Sequence, residues 1–245
     1  MIRGLYSSAN GLLAESTRND VIAANLAGLS VPGFRRDIAT VTSFGPILDY
    51  TAGGTAAGLA GPSAILNPAV TVDLLPGAIR ATGNRLDLAL DGPGYFSVQT
   101  KNGEAYTRGG AFRIDSAGRL VTSAGDPVLG AAGPIVLRGG QVEVMESGDI
   151  LVDGARVDRL KLADFAPGFQ VAKIGSGLLR VAAGSVQPAG PMARVRQGYL
   201  EEANVNAVSE LAAMISSLRS FEASQRALQA NDQTLEKAIS EVGRV

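Results

Sequence analysis

The last forty residues constrain this chain more than any other stretch. From Asn206 to Val242 there is neither glycine nor proline. Apolar residues recur at alternating spacings of three and four through Leu211, Met214, Leu218, Phe221, Leu228, Leu235, Ile239 and Val242, and the seam is polar only at Gln225 and Asp232. That is a heptad pattern, whose narrow apolar stripe calls for a facing helix, and polar residues at seam positions cost stability while fixing register or partner. Asn206 is a suitable N-cap, and Glu210 sits in the first turn, where a carboxylate complements the helix dipole. The facing helix could come from the same chain or from a neighbouring copy, and periodicity alone favours neither.

The other end offers one candidate. Ile2, Leu5, Ala9 and Leu12, then Ile22, Ala23, Leu26 and Leu29, fall at helical spacing. This predicts one long amphipathic helix ending near Gly28 or Ser30, since Pro32 restricts the residue before it and Gly33 can turn left-handed. Residues 51–64 are Gly, Ala, Ser and Thr with little else, and read as a connector without core-forming side chains. From about Val70 to Arg196 short apolar runs such as Leu86–Leu90, Tyr95–Gln99 and Ile135–Leu137 alternate with turn signals at Asn102-Gly103, Ala117-Gly118 and Asp153-Gly154.

The expected class is α+β, with long N- and C-terminal helices pairing in a coiled-coil-like core and a central antiparallel β domain. The expected division is a terminal helical assembly domain of 1–34 and 206–245, a connector over 35–80, a β domain over 81–196 and a return link over 197–205.

Composition removes most chemistry. The 245 residues include no histidine, cysteine or tryptophan, so imidazole or thiolate nucleophiles, zinc clusters and disulfides are excluded. A net charge of −1 gives no general attraction to nucleic acid. The glycine-rich runs lack the Lys-Ser/Thr of a P-loop and the third glycine of a dinucleotide fingerprint. Asp87 with Asp91, or Asp149 with Asp153, could form an acid/base pair, but each aspartate lies at a turn or strand end where it serves its own backbone. Arg35-Arg36, the only adjacent basic pair, reads as a solvated turn. No apolar run approaches the ~20 residues that span a bilayer, and the first residues lack the basic segment and apolar run with a small-residue cleavage site of a leader, so an uncleaved chain is expected. The expectation is a chain that is not an enzyme, with no cofactor, metal, nucleic acid or small-molecule substrate.

Three segments then carry a resemblance. Asp20 to Ala27 followed by Pro32-Gly33-Phe34-Arg35-Arg36 resembles the N-terminal signature of bacterial flagellar rod and hook proteins. Gln197-Gly198-Tyr199-Leu200-Glu201 with Asn204-Val205-Asn206 is similar to their C-terminal signature, and Tyr106-Thr107-Arg108-Gly109-Gly110-Ala111-Phe112 to a β-domain strand. Gly125 to Gly130 and Arg159 to Phe165 look most like the proximal rod branch, with the distal rod branch second.

The resemblance implies a structural axial subunit of the basal-body rod. Its terminal helices would pack with those of other copies and of neighbouring rod proteins into a tubular drive shaft around an export channel. It also implies a rod that spans the periplasm, and export through the flagellar type III apparatus without a cleaved signal peptide. The assembly contacts expected on this reading are Leu5, Leu12, Ile22, Asn25 and Leu26 of the first helix. Those on the last helix are Leu211, Met214, Leu218, Phe221, Leu228, Leu235 and Ile239. A second reading makes the β domain a periplasmic binding module on a helical stalk.

Overall fold

A computed structural model describes residues 2–43, 66–166, 169, 171–175, 177–181 and 186–242. Two helices lie among them, α1 (Ile2–Gly28) and α2 (Ala207–Val242). The strands between them begin with β1 (Asp37–Ser43), β2 (Leu66–Val72), β3 (Ile79–Ala81), β4 (Leu88–Asp91), β5 (Tyr95–Thr100) and β6 (Gly103–Thr107). They continue through β7 (Arg113–Ile114), β8 (Leu120–Val121), β9 (Val142–Val144), β10 (Asp149–Val152), β11 (Ala155–Arg159) and β12 (Leu162–Phe165). The last are β13 (Val171–Lys173), β14 (Leu178–Val181), β15 (Val186–Pro188), β16 (Arg194–Gln197) and β17 (Tyr199–Glu201).

The chain divides into two compact units. One, the terminal unit, takes residues 1–27, 37–71 and 206–245; the other, the central unit, takes 28–36 and 72–205. Connector residues 44–65 lie outside the described residues.

In the central unit a six-stranded sheet runs β13-β14-β6-β5-β12-β15, and its pairings are antiparallel. Because successive strand residues point to opposite faces, neighbours such as Tyr95 and Phe96, Ala105 and Tyr106, or Leu178 and Leu179 join different apolar clusters. The larger cluster is built around Phe96, Val98, Val128, Ile135 and Ile150, all almost fully buried. Phe96 and Phe112 meet edge to face at 5.2 Å, and on the other face Tyr95 stacks on Phe165 at 4.5 Å. Burial on both sides is seen along β5, where Tyr95 to Val98 are all buried, Ser97 included. A three-stranded sheet, β11-β10-β9, and the β16–β4, β17–β3 and β7–β8 pairs complete the unit. The segment Ile135–Leu137 contributes core side chains but joins its neighbours only through isolated bridges.

The coiled-coil-like helical core requires correction. Both apolar clusters lie wholly within the central unit. On α2 the buried side chains among the described residues are Glu210 and Ser217, both polar. The large apolar clusters form a β-rich core, and the terminal helices bury only Ala14, Val21 and Ile22 of α1 among their described apolar side chains, beside polar contacts and half-buried residues.

Candidate functional site

Asn206 caps α2 as its side chain predicts: its Oδ1 accepts from Val208 N at 3.0 Å and Ser209 N at 3.2 Å. One turn on, the Glu210 side chain is fully buried and its Oε2 accepts from Asn25 Nδ2 at 3.5 Å. Asn25, 1% exposed, also donates to Asp37 O at 2.8 Å and accepts from Asp37 N at 2.7 Å. Its amide thereby joins α1, the start of β1 and the first turn of α2. Farther along, Ser217 donates to Glu15 Oε2 at 2.6 Å. Residue 25 meeting 210 and residue 15 meeting 217 makes the two helices antiparallel.

These contacts divide α2 into faces. Met214, Phe221 and Leu228 are half-buried on the side that carries Glu210 and Ser217. Val208, Leu211, Ile215 and Leu218, spaced by three, four and three, form a second stripe whose members are 77%, 51%, 55% and 44% exposed. On α1, Ile22 is buried, Leu12 and Leu26 are half-buried, and Leu13 is exposed. The side chains of Leu5, Leu235 and Ile239 lie outside the described residues. Ile215 and Val208, which periodicity alone did not single out, belong to the exposed stripe because they lie one helical turn from Leu211 and Leu218.

The central unit holds a second polar centre. Glu201, at the end of β17, is fully buried. Its Oε1 accepts from Arg35 at 2.6 Å and from Gly77 N at 2.9 Å, and its Oε2 accepts from Arg108 at 3.1 Å. Its carbonyl accepts from Gly33 N at 2.8 Å. Arg108 donates further to Leu90 O at 3.1 Å and Gly92 O at 2.6 Å. Asn204 adds a second clasp, accepting from Arg36 N at 2.6 Å and donating to Asp73 O at 3.1 Å and Leu75 O at 2.9 Å. Gly33 has φ +68°, and a Cβ there would overlap the Arg108 backbone, so the turn tolerates only glycine.

Arg35 is therefore not the solvated turn residue that its pairing with Arg36 suggests; it is 2% exposed and ion-paired. Burial lowers the Arg108 guanidinium from its usual range, with Glu201 opposing that shift. Burial also raises the Tyr95 hydroxyl, against the pull of Arg35 and Arg108.

Asp87 is held by Thr82 and Asn84, Asp91 lies 3.6 Å from Arg196, Asp149 is held by Ser147, Arg156 and Arg159, and Asp153 by the Gln141 amide, so each expected aspartate is engaged at its own turn or strand end. An open groove of about 680 Å³ is lined by Arg159, Lys161 and Arg194, but Arg159 is engaged by Asp149 and Lys161 by Glu104. Among the described residues no three carboxylates are grouped to hold a metal, and no helix is long and apolar enough to cross a membrane.

Comparison with known proteins follows the same geography. Residues 196–241, which hold Glu201, Asn204 and most of α2, match the family described as flagellar basal body rod FlgEFG protein, C-terminal. Residues 89–157, which hold Arg108 and much of the larger core, match the flagellar hook protein FlgE/F/G D1 domain. The chain is 31% identical to the flagellar basal-body rod protein FlgG of Bacillus subtilis, over 98% of this chain and 99% of the relative. It is 34% identical to FlgF of Escherichia coli, over 97% of each, and 34% identical to FlgF of Rhizobium meliloti, over 99% of each.

Proposed function

The chain belongs to the flagellar basal-body rod protein family, and we propose that it joins its neighbours in the rod through the exposed faces of its terminal helices. It is a structural subunit of the basal body. The observation that carries the mode of assembly is the stripe of Val208, Leu211, Ile215 and Leu218, left open on a helix with no fully buried apolar side chain among its described residues. The members are 44–77% exposed, so covering what remains of each contributes part of the roughly 1.5–3 kcal/mol of full burial, set against the entropy cost of association.

On this reading the partners are other copies and adjacent rod proteins, and the assembled helices form a tube that transmits torque and encloses an export channel. Export of the chain by the flagellar type III apparatus, without a cleaved leader, and a location in the periplasm-spanning part of the rod belong to the same proposal. So does a role without catalysis. The half-buried Met214, Phe221 and Leu228, together with Leu12 and Leu26, line the flanks of the same contact surface.

The test is Leu211→Asp with Leu218→Asp in the full chain. Incorporation into rods should be lost while the purified variant keeps the β-sheet circular dichroism of the wild type. Rods that still form with both aspartates in place would show that the stripe is not the assembly surface.

A further inference from the structure

The Glu201 centre joins residues that are far apart in the chain: Arg35 lies 166 residues before it and Arg108 93 residues before it. Synthesis delivers residue 35 first and residue 201 nearly last. An arginine cannot shed its charge, and a buried guanidinium without a carboxylate is strongly unfavourable. Before residue 201 is in place, closing these segments over Arg35 and Arg108 is opposed by the cost of two buried, unpaired charges.

The same late segment supplies other partners. β16 pairs with β4, bringing Val195 beside Leu90, and β17 pairs with β3. Glu202 N donates to Ala78 O, and Asn204 N to Phe34 O. Two contacts in this region nevertheless need nothing from the C-terminal strands: Asp73 N donates to Arg36 O at 2.8 Å, and Leu88 N to Gly110 O at 3.0 Å. Both are available once residue 110 has been made. Topology alone would let them form early.

We propose that Glu201 is a folding checkpoint: the two buried arginines hold the entrance of the central unit open until the end of the chain delivers the carboxylate that neutralises them. The device keeps an incomplete chain from closing, and it does not depend on the assembly reading above.

The test follows refolding of the full-length chain by pulsed hydrogen exchange. The Asp73 and Leu88 amides should gain protection in the same kinetic phase as Val195, Gly198 and Glu202. Their protection in an earlier phase would overturn the checkpoint. Glu201→Gln should lower the folding equilibrium by about a hundredfold or more, the scale expected when a buried pair loses one partner.

The triple change Arg35→Met, Glu201→Leu, Arg108→Met separates charge from topology. With the charges gone, Asp73 and Leu88 should become protected ahead of Val195. If they still wait for it, strand topology sets the order and the charge has no gating role. Should that variant fail to fold, Glu201→Gln decides: protection of Asp73 and Leu88 that comes more slowly than in the wild type supports the checkpoint, and an unchanged rate overturns it.

Discussion

The two units distribute polarity in opposite ways. The central unit packs its large apolar side chains inward on both faces of a six-stranded sheet. The terminal unit fastens its helices with Asn25, Glu210, Glu15 and Ser217 and turns Leu211, Ile215 and Leu218 outward. An apolar interior supplies the central unit's main stabilising term, because burial of apolar surface is the chief favourable contribution to folding. Helix α2 leaves apolar side chains on its open face, and isolated helices are only marginal in water.

The largest effect that could break this contrast lies in the β core. Phe96 is fully buried between the sheet and Phe112. Phe96→Ala should cost about 3–5 kcal/mol, read as a lowered denaturation midpoint of the β signal. If the midpoint hardly moved, the core would be less tightly packed than its burial indicates.

Next in size is Asn25→Ala in the terminal unit, which leaves the buried Glu210 carboxylate and the backbone of Asp37 short of partners. A buried polar group left unsatisfied costs about 1–3 kcal/mol. Amide exchange in the first turn of α2 should quicken accordingly. An unchanged exchange rate there would mean that the polar fastening carries no stability, which would erase the distinction between the units.

A smaller change sharpens it. Asn206→Ala removes the acceptor for the Val208 and Ser209 amides. Loss of an N-cap costs about 1 kcal/mol, and it should fray α2 at its start without moving the β midpoint. A fall in the β midpoint would show that the two units unfold as one.

How much of this was legible in the sequence follows from the range of each interaction. The Asn206 cap and the end of α1 at Gly28 are local and were readable from residue type. The heptad pattern located the column of Met214, Phe221 and Leu228. Hydropathy then assigned Leu211 and Leu218 to the neighbouring column, where the chain's own contact uses Glu210 and Ser217. A polar residue can take a seam position when Asn25 or Glu15 faces it, and no local pattern records what faces a helix. The burial of Arg35 was hidden for a stronger reason: its carboxylate lies at the opposite end of the chain. The coiled-coil-like core failed because periodicity reports the spacing of apolar residues and says nothing of which surface stays open.

The smallest expected effect concerns the exposed rim of the central unit. Asp149 accepts from Ser147 at 2.6 Å and from Arg159 at 2.9 and 3.0 Å, with Arg156 also 2.9 Å away. Hydrogen bonds from Arg159 and Ser147 lead the causes that lower its carboxyl from the usual 3.8 to about 2. A carboxyl depressed in the folded state stabilises it above the unfolded value, and that contribution fades as pH falls from about 4 to about 2. The group is solvent-accessible, so the contribution is small and salt should weaken it further. NMR titration of the Asp149 carboxyl carbon should give a midpoint near 2 in the wild type and a higher one in Arg159→Met. A midpoint in the ordinary aspartate range for the wild type would mean that the β10–β11 rim is not held by this carboxylate.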